Sequence, residues 1–302
     1  LFGIDMNNNV WVDRFENDDE PDFPYPRDHR GYNMYGGADL LPGIKLTLGR
    51  TDEELIAGDG TNVTNYLLFA LERDYPGLGR VKFFENFRIA KDNIENDLRQ
   101  WSDTERRNVP TIDPLAAQDT WITSTYASFD YTGIENTNII SKFKYDRWHQ
   151  NERQPDLRED FTFFGLINKI DYERKIGYMD VMPRIKNELR LESPALKADP
   201  KRREDVLLLG LLAKWPLFSS SSMQMGVEYT IFNQLRDSEA AIRDGLPDDF
   251  REIVGAVQFS NIKNYLGYKL TTNMGMRLTR RSINEETETG RVAFATVYAG
   301  LD

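Results

Sequence analysis

Two stretches carry side chains whose types and spacing could do chemistry. Within Tyr178–Glu192, Arg184, Lys186, Glu188 and Arg190 recur at every second position. On an extended chain all four point the same way. Glu228, Lys269 and Arg277 occupy the polar positions of two further alternating stretches. Charges of both signs along a water-filled passage would set its selectivity through the local field. The same set could instead close on itself as a ladder of ion pairs. The second stretch is Asp5–Glu16, DMNNNVWVDRFE, with hard oxygen donors at Asp5, Asn7, Asn9, Asp13 and Glu16.

The elements that must position the first group are long strands. Opposite the charges of Tyr178–Glu192 lie Met179, Val181, Ile185, Leu189 and Leu191, interrupted by Pro183 and Asn187. An ordinary strand has about 5–6 residues. At roughly 3.4 Å per residue this one runs on the order of 45–50 Å, enough to cross an apolar band of about 25 Å when tilted by about 45°. With Phe161–Tyr172 it forms a hairpin around Lys175–Gly177. The pattern recurs. In Ser222–Leu235, Met223, Met225, Val227, Tyr229 and Ile231 alternate with Gln224, Glu228, Thr230 and Gln234. In Tyr265–Arg281, Tyr268, Leu270, Met274, Met276 and Leu278 alternate with Lys269, Thr271, Asn273 and Arg277.

Taken in order, the chain predicts about fourteen strands, the first a remnant at Phe2–Ile4, joined by connections that alternate short and long. The predicted long connections are acidic, as at Asp18–Asp22, Asp52–Glu54 and Glu285–Glu288. Asp92–Trp101 reads as a short helix, and Arg236–Asp249 could carry a helical turn. Tyr75, Tyr131, Tyr172, Tyr178, Trp215, Phe218 and Tyr265 flank the short turns, as a membrane–water interface selects. Two strands fit badly. Val206–Ala213 is apolar on both faces, and Glu85 shares a face with Phe83, Phe87 and Ile89. A bulge, or a protein partner against that wall, would account for Glu85.

Composition narrows the functions. Among 302 residues there is no Cys and there are only two His, and the net charge is −11. This excludes thiolate chemistry and argues against nucleic acid as a partner. No run approaches the roughly 20 apolar residues of a membrane helix. No motif of a hydrolase, a nucleotide-binding loop or a zinc protease occurs. A hydrolytic Asp–His grouping would rest on His149 near Asp146, and no enzyme activity is expected.

The alternation, the loop rhythm and the closing stretch RVAFATVYAGLD together resemble a Gram-negative outer-membrane β-barrel, porin-like or receptor-like in pattern. The resemblance implies an all-β antiparallel up-and-down barrel in the bacterial outer membrane, with short periplasmic turns and long acidic outer loops. It implies a single domain over residues 1–302, expected to be the C-terminal part of a longer chain. The function it implies is a channel or transport component in contact with outer-membrane lipid. A barrel docking a plug or an envelope protein and a soluble calcium-dependent glycan-binding β-protein are the alternatives. The final Leu301-Asp302 departs from the terminal aromatic usual in such barrels.

Asp5–Glu16 resembles the calcium loop of EF-hand and dockerin-type sites, with donors at loop positions one, three, five, nine and twelve. The resemblance implies a Ca2+ site of Asp5, Asn7, Asn9, Asp13 and Glu16 with the Trp11 carbonyl, and Val12 in the apolar eighth position. Val10 stands where that family carries Gly. An acidic, solvated outer loop is the other reading of these residues.

Overall fold

The computed structural model describes residues 29–56, 58–94, 99–102, 107–110, 118–151, 156, 160–236, 244–265, 268–283 and 286–301. Its regular structure is entirely β. The elements are β1 (His29–Leu41), β2 (Ile44–Leu55), β3 (Thr61–Tyr75), β4 (Gly79–Asp92), β5 (Arg99–Ser102), β6 (Arg107–Pro110), β7 (Asp119–Tyr131), β8 (Thr137–Gln150), β9 (Asp160–Tyr172), β10 (Arg174–Ile176), β11 (Met179–Ser193), β12 (Arg202–Phe218), β13 (Ser221–Gln234), β14 (Phe250–Tyr265), β15 (Tyr268–Ile283) and β16 (Glu286–Leu301).

One fourteen-stranded antiparallel sheet contains all of these except the β5–β6 pair. Thirteen strands form an unbroken path in chain order from β1 to β16, and β10 pairs with β11 off that path. β10 is a continuation of β9 in the same register, since Asp171 faces Arg184 and Arg174 faces Val181. The break at Glu173 lies beside Pro183, which has no N–H to give to a ladder. The Glu173 N–H instead donates to the Asn136 carbonyl at 2.7 Å.

Short turns follow from local chemistry. Leu41-Pro42-Gly43-Ile44 and Tyr75-Pro76-Gly77-Leu78 place Pro before Gly, and both glycines have positive φ, 81° and 77°. That is the requirement of a type II turn. At Gly43 an added Cβ would lie 2.1 Å from the Glu72 carbonyl oxygen, so the site excludes side chains on two counts.

The structure corrects three local expectations. Residues 99–102 form β5 rather than the end of a helix, and they pair with β6. Asp52–Glu54 lies inside β2, where the β2–β3 connection is only residues 56–60. Glu286 and Glu288 lie inside β16, two residues beyond β15. Acidic composition suggested loops, but these acids face cations. Arg30 Nε meets Glu54 Oε1 at 2.6 Å, Arg50 Nη2 meets Asp52 Oδ2 at 3.0 Å, and Glu288 pairs in register with Arg281. The alternation of short and long connections is therefore incomplete. Phe2–Ile4 and residues 237–243 of the Arg236–Asp249 segment lie outside the described residues.

Candidate functional site

Register carries every side chain to one of two faces. Starting from Arg184, the strand pairings connect Asp171, Lys142, Ser124, Asn86 and Glu72 on one side, and Glu228, Glu252 and Arg281 on the other. This is the charged face. The opposite face carries Leu46, Leu67, Phe87, Phe143, Leu166, Ile185, Leu209, Val227, Val257 and Met276, one from each of ten of the thirteen strands.

Burial follows the faces in the reverse of the usual order. On the apolar face Ile185 and Leu211 are 50% exposed and Met274 is 47% exposed. On the charged face Thr120, Ile122, Asp171 and Phe232 are 0–8% exposed, at 0%, 4%, 8% and 8% respectively. Across the middle of the sheet the most buried side chains lie on the charged face, while β1 and β16 are exposed on both faces. An ordinary soluble sheet hides its apolar face.

All seven residues anticipated as a lumen set, Arg184, Lys186, Glu188, Arg190, Glu228, Lys269 and Arg277, lie on the charged face. The structure divides them. Lys186 Nζ meets Glu188 Oε2 at 2.9 Å, and Arg190 Nη2 meets Glu192 Oε2 at 2.5 Å. Arg184 Nε and Lys169 Nζ both reach Asp171, each at 2.6 Å. Glu228, Lys269 and Arg277 make no ion pair with another described residue, and Glu228 and Arg277 are exposed. Arg184 and Glu228 flank Gly210, whose added Cβ would sit 3.6 Å from one side chain and 3.8 Å from the other. Two strand spacings put them roughly 10 Å apart, too far for contact but close enough to share a field.

β12 explains its own double-sided apolarity. Val206 and Leu208 lie in register between Glu188 and Lys186 on β11 and Phe232 and Thr230 on β13. They form a dry spacer between the ion-paired stripe and the exposed charges. The register of β4 is unbroken at Glu85, so no bulge removes it from the apolar face. Instead the Thr123 and Thr125 hydroxyls donate to its two carboxylate oxygens at 2.5 Å each.

Asp171 and Lys169 were not visible as site residues in the sequence. Their strand carries Phe163 and Ile167 on the same face, which blurs the alternation. Also unanticipated is a stack at the long-connection end. The Phe232 and Phe250 rings lie 4.8 Å apart at 6°, and Arg281 sits 3.9 Å over Phe250. Aromatic residues do gather at the short-turn end. Tyr75, Tyr131, Tyr172, Trp215 and Tyr268 all fall on the apolar face, while the Tyr265 side chain lies outside the described residues.

His149 and Asp146 occupy opposite faces of β8, so they form no dyad. His149 Nδ1 pairs with Asp160, which also accepts from Arg147 Nη2 at 2.8 Å. Arg147 lies 4.6 Å over the Trp121 ring. Among the described residues no group of three or more His, Asp or Glu side chains is arranged to hold a metal. Asp5, Asn7, Asn9, Trp11, Asp13 and Glu16 lie outside the described residues. No protein-family model matches the chain, and no curated protein matches it.

Proposed function

We propose that this chain is a membrane-embedded β-barrel of the outer-membrane type and that its charged face lines a lumen through which solutes pass. The observation that supports this reading is that apolar-face side chains such as Ile185 and Leu211 are half exposed while Thr120, Ile122, Asp171 and Phe232 on the charged face are buried. A lipid environment is the solvent in which that arrangement is favourable. Strands of 12–17 residues over most of the sheet span about 40–58 Å, more than a tilted crossing needs. Glu228, Lys269 and Arg277, which no described partner neutralises, would give the lumen its selectivity, while the Lys169–Asp171–Arg184 cluster fixes the wall.

The decisive measurement is planar-bilayer conductance of chain folded in detergent. Stepwise current is expected, with the reversal potential in a salt gradient shifted by Glu228→Gln. A folded, detergent-dependent protein that carries no current would leave a docking barrel in place of a channel. The burial of Thr120, Ile122 and Phe232 on the charged face favours that second reading, because it leaves less open surface on that face at the long-connection end.

A further inference from the structure

We propose that Arg251, Arg280 and Arg291 form a binding rim for anionic lipid phosphate on the apolar face of β14, β15 and β16, with the apolar band below them receiving the acyl chains of the same lipids. The site lies on the opposite face from the lumen, and it rests on the membrane reading above.

The last four strands sort their charges by sign. Every acid of β13 to β16, Glu228, Glu252, Glu286 and Glu288, falls in register on the charged face. The apolar face of these strands carries no acid among the described residues. It does carry Arg251, Arg280 and Arg291, and all three are exposed. Three cations elsewhere on that face hold acids: Arg30 meets Glu54 at 2.6 Å, Arg50 meets Asp52 at 3.0 Å and Arg147 meets Asp160 at 2.8 Å. The arginines of β14 to β16 make no ion pair with another described residue. A wholly positive sector in a chain of net charge −11 is complementary to an anion from outside the chain.

Placement says which anion. Arg251 pairs with Ser282, Arg280 with Ile253 and Thr289, and Arg291 with Leu278. Each arginine therefore stands two residues from Ile253, Leu278 or Ala293 on its own strand, on the long-connection side of the apolar band. From one strand to the next the line steps by two residues, so neighbours on it are diagonal partners about 7–8 Å apart. Strands that cross a bilayer are tilted by about 45°, and a level line cuts a tilted sheet along such a diagonal. The three arginines thus share one depth at the border of the band, where long cationic side chains reach headgroups. Arginine offers a planar fork of N–H donors that matches phosphate and keeps its charge at any working pH. Ser282 and Thr289 add hydroxyl donors on the same face. Below them Ile253, Leu278 and Met276 are exposed. A free phosphate would use the donors alone, whereas a lipid uses donors and apolar wall together. At the short-turn end the same four strands present one cation on this face, Lys263, so the rim belongs to the leaflet at the long-connection end.

The test uses the full chain folded in a neutral detergent and offered equal amounts of phosphatidic acid and phosphatidylcholine, with retained lipids counted by native mass spectrometry. Phosphatidic acid should be retained in preference. Each arginine near an anionic headgroup is worth about fivefold in affinity, so any one of Arg251→Gln, Arg280→Gln and Arg291→Gln should weaken phosphatidic acid by that factor and the triple variant by about a hundredfold. Lys at all three positions should keep most of the preference, and Lys263→Gln should leave it unchanged. An undiminished preference in the triple Gln variant, or an equal loss in Lys263→Gln, overturns the rim. Equal retention of the two lipids by the wild-type chain also overturns it and leaves the arginines to an acidic protein partner. Displacement of phosphatidic acid by inorganic phosphate overturns the lipid as occupant. In each of these cases a chain that still needs detergent keeps the membrane reading. A chain that is monodisperse without detergent and retains neither lipid overturns both.

Discussion

Asp171 is the residue on which the charged face depends most. It holds Lys169 within its own strand and Arg184 on the next. Replacing it with Asn leaves two cations facing each other without an acid. The expected cost is about 1–3 kcal/mol, read as a lower urea midpoint in detergent, and in the proposed channel the current should become more anion-selective. Glu85 gives the opposite expectation. Glu85→Gln keeps an acceptor for the Thr123 or Thr125 hydroxyl and removes a charge from the apolar face, where charge costs on the order of 1–4 kcal/mol depending on depth. It should be neutral to mildly stabilising in the same assay, and a large loss of stability would mean that the carboxylate has a cationic partner. Side-chain periodicity revealed the Arg184–Arg190 stripe because the opposite positions are mostly apolar. It could not reveal the partners of those charges, because Asp171 sits in a strand with Phe163 and Ile167 on its charged face.

At the level of elements, turns were legible where their chemistry is local. Pro-Gly pairs located the β1–β2 and β3–β4 turns because type II geometry needs both residues. Gly43→Ala should cost about 1–3 kcal/mol, seen as a shift of the denaturation midpoint without change in its slope, because the left-handed backbone and the Glu72 carbonyl both reject a Cβ. Strand ends were legible only when composition changed with them. Asp52–Glu54 and Glu286–Glu288 looked like loop because acids are rare in isolated strands. Cross-strand Arg30 and Arg281 make them good strand residues, and a reading of one segment at a time does not see the neighbour. Val206–Ala213 shows the same limit. Its alternation vanishes because it separates two charged strips, a role that exists only once the sheet is paired.

The whole molecule is defined by which face is hidden. On the proposed membrane reading the apolar face meets an apolar solvent, so folding should require detergent or lipid. Removing detergent from the folded protein should cause aggregation, checked by light scattering and by loss of the β signal in circular dichroism. High salt should leave the fold intact, since most charged-face pairs are partly shielded and short range. The sequence made the two-faced strands and their order readable because side-chain period and chain order are both written locally. The thirteen strands of the path answer one by one to the predicted strands other than the Phe2–Ile4 remnant, which lies outside the described residues.

The ion pairs of the charged face have one more consequence. Lys144–Asp146, Lys169–Asp171, Lys186–Glu188 and Arg190–Glu192 each join residues two apart on a single strand. Such a pair needs no neighbouring strand to form. A nascent hairpin of β9 and β11 can therefore neutralise most of its own charge before any partner arrives. On the proposed membrane reading, this lowers strand by strand the barrier to carrying a naked charge past lipid, and the finished wall keeps the counterions with which each strand entered.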